Sequence, residues 1–145
     1  MNRYLEMKRK HSEQINSFPM FFAFNQQQFD EGMRKLGLRE TDIDKICSIG
    51  GTGGYIRVSD RIAFVEMNQK IKQERTAAIA ADETGKGFIY DMFLYELKNH
   101  EYGYTWDDTD TLEALGYTKD DINADHRLKA GLKAAKRKIL EEDYD

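Results

Sequence analysis

The 145-residue sequence predicts a mainly helical α+β single domain, residues 1–145, with a small antiparallel β-hairpin or three-stranded sheet. Three observations predict it. Several stretches carry apolar residues at three- and four-residue spacing between recognisable helix caps. One glycine-rich link, Gly50–Gly54, joins two β-favourable segments. The length is that of one ordinary domain, able to bury about two-thirds of its unfolded surface. With 40% hydrophobic and 12% aromatic residues, the chain is too apolar for a disordered polymer.

Tyr4, Leu5, Lys8, Ser12 and Ile15 recur near helical spacing, so a mostly polar first helix is predicted from about Asn2 to Asn16. Pro19 ends it, and the run Met20–Phe24 that follows reads as a short buried strand. Asn25 with Gln28 matches a capping box, and Phe29, Met33 and Leu36 form the stripe of a second helix that stops at Gly37, with Leu38 folding back. Asp44–Ile49 and Tyr55–Val58 are β-favourable and flank the GGTGG link, which predicts a hairpin. Ser59 reads as the N-cap of a long helix whose apolar positions are spread widely enough for burial on two sides.

Asp82–Gly87 breaks the helical pattern, and Phe88, Ile89, Met92, Phe93, Tyr95 and Leu97 then predict a strongly apolar helix at the centre of the core, ending near Asn99. An aromatic and acidic loop, HEYGYTWDDTD, comes next. Asp110 and Glu113 can cap a short helix ending at Gly116, and Thr118 with Asp121 opens another turn. The last helix, from about Asp125 to Leu140, turns Leu128, Leu132, Ala135 and Ile139 inward and Lys129, Lys133, Lys136 and Arg137 outward. The strings Leu36–Ile43 and Leu115–Ile122 share the form L-G-apolar-x-x-x-D-I. Its physical content is a glycine helix stop, a residue folding back, and a new turn whose Ile docks on the same patch.

Net charge is −4 but unevenly placed. Residues 82–125 hold 3 basic and 12 acidic side chains, against 13 and 10 before them and 6 and 4 after. Helix starts recruit Asp and Glu, which accounts for much of this; a surface for a basic partner is the functional alternative. The single cysteine, Cys47, excludes an internal disulfide and a cysteine-built zinc site, and its strand setting suggests buried packing. No apolar run approaches the roughly 20 residues of a membrane span, and the charged first 15 residues lack a signal-peptide core. The expectation is a cytoplasmic chain with no membrane partner.

Chemistry-bearing motifs are weak. The link Gly50, Gly51, Thr52, Gly53, Gly54 could contact a ligand through backbone amides, but no Lys-Ser/Thr and no helix follow it, so a flexible hairpin tip fits better than a phosphate cradle. His11, His100 and His126 fall on separate elements without metal-ligand spacing, and no metal or cofactor is expected. His100 beside Glu101 and Tyr102 could serve as a general base, or simply favour a helix C-terminus. Asp107, Asp108 and Asp110 fail the EF-hand pattern, since Leu112 and Thr118 occupy its sixth and twelfth positions. The basic last helix could track phosphates, yet the pI of about 5.5 argues against nucleic acid as a partner.

The segments NSFPMFFAFNQQQFDEGMRKLGL, SIGGTGGYIR, AIAADETGKGFIYDMFLYELKNHEYGYT and DTLEALGYT together resemble an uncharacterised family of short proteins from Firmicutes and their phages or integrative mobile elements. The resemblance implies no activity and transfers no catalytic residue; it implies a setting in which small accessory proteins bind host or defence proteins. With the acidic segment, it leads to the expectation of a non-enzymatic interaction module. Its surface would use Asp82, Glu83, Glu101, Tyr102, Tyr104, Trp106, Asp107, Asp108 and Asp110. A small ligand binder or enzyme using the glycine link and His100, and nucleic-acid binding through the last helix, are the alternatives.

Overall fold

Residues 1–143 are described by a computed structural model. It shows eight α-helices among the described residues and a three-stranded antiparallel sheet in which Gly54–Arg57 lies between Phe21–Phe22 and Ile46–Ile49, the helix-dominated α+β architecture that the sequence predicts. The chain packs as two compact units, Ser12–Lys72 and the combination of Met1–His11 with the chain from Gln73 onward.

The Ser12–Lys72 unit contains β1 (Phe21–Phe22), α2 (Gln26–Lys35), β2 (Ile46–Ile49) and β3 (Gly54–Arg57). Phe21 pairs with Tyr55, and Cys47 with Ile56. The aromatic run after Pro19 is not buried as a whole: Phe21 and Ala23 turn inward while Phe22 and Phe24 are exposed, as the two-residue period of extended backbone dictates. Phe21 stacks on Tyr55 at 5.2 Å and meets Phe29 edge-on at 5.8 Å. A Cβ on Gly32 would overlap the Phe21 ring, so α2 approaches the strand only because that position has no side chain. At the start of α2 the Gln28 N–H donates to Asn25 Oδ1 at 2.8 Å, but Gln28 Oε1 accepts from Phe24 N, one residue earlier than a capping box. Gly37 (φ 75°) ends the helix, and the Leu38 N–H closes on Met33 O at 2.9 Å.

The expected hairpin between β2 and β3 forms, but with shorter strands: Asp44 and Lys45 belong to a 3-10 turn over Ile43–Lys45, and Val58 opens the turn after β3. Thr52 Oγ1 donates to Ile49 O at 2.6 Å and accepts from Gly54 N at 3.1 Å, and Gly53 O accepts from Ala23 N at 2.9 Å. Helix α3 (Arg61–Ala81) differs from expectation. A 3-10 turn over Val58–Asp60 takes in Ser59, so the helix starts at Arg61, and none of its residues is fully buried. Apolar side chains distributed around a helix give no single face to bury.

The second unit is organised by α4 (Phe88–Asn99) against α8 (His126–Asp143), with α5 (Tyr102–Thr105), α6 (Thr109–Leu115) and α7 (Lys119–Ala124) between them in sequence. Ile89, Met92, Phe93 and Leu97 of α4 are almost wholly buried, and Leu128, Leu132, Ala135 and Ile139 of α8 join them. Tyr4 of α1 (Arg3–Asn16) packs into this core; burial, then the neighbouring Glu96 carboxylate, push its phenol above the ordinary tyrosine range. Two buried carboxylates of α4 are paired with α1: Asp91 accepts from Arg3 N at 3.0 Å, and Glu96 meets Lys8 Nζ at 3.1 Å. Paired acids of this kind avoid the cost of an isolated buried charge.

Candidate functional site

Helix α4 ends at His100, and the chain then turns through Glu101 at φ 63° into the single helical turn of α5, which closes on Trp106 at φ 55°. These are the only two non-glycine residues with positive φ among the described residues. The left-handed region is uncommon for residues with a Cβ and an outlier for a bulky one. Tyr102 is the buried foot of this turn, whereas Tyr104 and Trp106 stand outside it with 89% and 68% of their surface exposed. The backbone thus holds two large aromatic side chains in water, where burial energy does not favour them.

The acidic residues nearby are mostly engaged. Asp107 Oδ1 accepts from Thr109 N at 2.9 Å and from Thr109 Oγ1 at 2.6 Å; these hydrogen bonds hold its carboxyl below the ordinary aspartate range. It thereby organises the start of α6 in place of the Asp110–Glu113 pair that the sequence suggests; Asp110 lies exposed within the first turn. Asp108 is held by Lys136 Nζ at 2.7 Å. Asp82 points into the α3–α4 connection, accepting from the backbone N–H groups of Thr84, Gly85, Gly87 and Ile89. Partial burial alone would raise its pKa, but those four donors outweigh it and hold the value low. Arg127 completes this corner, donating to Ile79 O at 3.1 Å and Asp82 O at 2.9 Å while paired with Asp125. Of the twelve acidic residues in 82–125, Glu83, Glu101, Asp110, Glu113 and Asp120 remain exposed without such engagement.

A groove of about 570 Å³ lies beside the aromatic turn. Leu112, Ile122 and Leu132 give it an apolar, nearly buried lining, and Trp106 borders it. Lys119, Lys129, Lys133 and Lys136 contribute four ammonium groups against the two carboxylates of Asp107 and Asp108. The Lys136–Asp108 pair neutralises one of each, and the Lys119 charge acts on Asp107. Lys129 and Lys133 are exposed and carry no ion pair among the described residues. The volume falls in the range of ligand clefts.

The expected site residues therefore divide. Tyr104, Trp106, Asp107, Asp108 and Asp110 share the α5–α6 segment, with Glu101 at its start. Asp82 is committed to local backbone, Glu83 is exposed on the α3–α4 connection, and Tyr102 is buried. Gly50–Gly54 belong to the other unit, their link stabilised by Thr52. The His100 ring meets no carboxylate among the described residues, and Cys47 is half-buried in β2. Sequence reasoning missed the groove. The signal available was Lys129, Lys133 and Lys136 at helical spacing, but nothing in the pattern brought Lys119 and Trp106 to the same place. No cluster of three or more metal-ligating side chains occurs among the described residues, and no helix there is long and apolar enough to cross a membrane.

These features define a helix-dominated α+β protein with a strained aromatic turn bordering a lysine-lined groove. The chain belongs to a family of unknown function, DUF7659, which matches residues 3–138. No curated protein and no solved structure matches it.

Proposed function

We propose that the chain is a non-enzymatic protein-interaction module, of the kind a phage or mobile element of Firmicutes uses to engage a host or defence protein. The single observation behind this reading is the aromatic turn: Tyr104 and Trp106 are exposed and held there by left-handed backbone at Glu101 and Trp106. Strained backbone persists where surrounding structure enforces it and concentrates at functional sites. Exposed Tyr and Trp are the residues that supply most binding energy when a partner covers them. Glu101, Asp107 and Asp110 supply the polar rim that surrounds such anchors.

The test is affinity capture from a Firmicutes host lysate with the wild-type protein and the double variant Y104A/W106A. Both side chains are exposed, so circular dichroism of the variant is expected to match wild type. The reading requires a protein retained by wild type and lost from the variant. An identical set of retained proteins would overturn it.

A further inference from the structure

We propose that the groove bordered by Trp106 receives a short acidic segment of the partner protein, with an apolar side chain seated on Leu112, Ile122 and Leu132 and its carboxylates on Lys129, Lys133 and Lys119. This rests on the interaction-module reading and names the chemistry of the partner. Charge complementarity selects the occupant: lysines outnumber aspartates in the groove, and Lys129 and Lys133, four residues apart on α8, carry no internal counter-ion among the described residues. Ammonium groups on an exposed rim steer and orient an anionic segment. The apolar lining adds what a purely electrostatic surface lacks, a place for one aliphatic or aromatic residue.

A polyphosphate backbone fits less well. Single-stranded nucleic acid needs a continuous basic track with several stacking platforms. Here one tryptophan borders the groove, Asp107 and Asp108 are part of its wall, and Asp110 and Asp120 are exposed on α6 and α7, the helices that help to form it. Those carboxylates break a phosphate path but leave room for a few spaced acidic side chains.

Trp106 is the one tryptophan in the sequence, so its emission reports directly on this groove. The probe is a synthetic peptide of about ten residues, Glu and Asp around one central Leu, a length suited to a single cleft. Its controls are a Lys peptide of equal length and an oligothymidylate of about twelve nucleotides, enough for one single-strand site. The expected result is a saturable change in Trp106 emission with the acidic peptide, matched by calorimetry of the same mixtures and weakened by added salt. Affinity should fall about tenfold or more in K129E/K133E, the scale expected for reversing two rim charges. The neutral variant K129Q/K133Q should show an intermediate loss and guards against misfolding of the first. Absence of binding by both readouts, unchanged affinity in both variants, or tighter binding of the oligothymidylate would each overturn the proposal.

The two readings fail separately. Partner capture that depends on Tyr104 and Trp106 while the acidic peptide stays unbound would remove the groove assignment alone. Peptide binding with nothing retained from the host would remove the interaction module, and with it the partner as the source of the segment, and leave only the groove's preference for acidic peptides.

Discussion

Glu101 adopts a left-handed conformation that costs an L-residue about 1–2 kcal/mol, and glycine avoids that cost while losing about 0.5–1 kcal/mol to its freer unfolded chain. Glu101→Gly is therefore expected to raise stability by about 0.5–1 kcal/mol, read as a higher urea midpoint. A fall in the midpoint would show that the carboxylate has a structural role. Asp82 works in the other direction. Its folded pKa lies below the unfolded value because four backbone N–H groups favour the carboxylate. The stability it contributes is thus present above an unfolded pKa of about 3.9 and is lost as pH falls through the lower folded value. Asp82→Asn keeps the size but halves the acceptor oxygens, and should cost about 1–2 kcal/mol at neutral pH, the scale of a lost helix cap. The gap to wild type should narrow in urea melts run near pH 3; a gap independent of pH would contradict the assignment.

At the scale of elements, α2, α4 and α8 were readable because stripe and boundary signals agree: Asn25 and Gly37 bracket α2, and Leu128, Leu132, Ala135 and Ile139 all turned inward. Helix α3 was readable in position but not in burial, since its apolar residues have no common face. Close approaches were not readable at all. Nothing in the local pattern marks Gly32 as the point where α2 meets the Phe21 ring. Gly32→Ala would gain helix propensity yet force that ring out of its stack on Tyr55, so a net loss of about 1–3 kcal/mol is expected. Urea unfolding measures it, and a stabilised variant would show that the ring can move aside freely.

For the whole molecule, the charge asymmetry of the sequence was visible but its meaning was not. Asp91 and Glu96 pair with α1, Asp108 with Lys136, Asp125 with Arg127, while Asp121 closes a capping box. Much of the acidic excess in residues 82–125 is therefore internal wiring. The candidate site escaped the sequence for the complementary reason, because a groove is made where Trp106, α7 and α8 converge. Periodicity describes one element at a time and carries no information about that convergence.

The repeated string Leu36–Ile43 and Leu115–Ile122 has a wider consequence. In each copy the glycine is left-handed, the next residue closes on the carbonyl five positions back, and the aspartate accepts from the N–H three positions before it. The terminal isoleucines nonetheless differ: Ile43 is 67% exposed and Ile122 only 6%, so they do not dock alike. One grammar is thus spelled out in two unlike neighbourhoods, which makes it a property of eight adjacent residues and the helical turn before them, Met33 and Leu112 supplying the carbonyls, a portable full stop that would end a foreign amphipathic helix into which it was spliced.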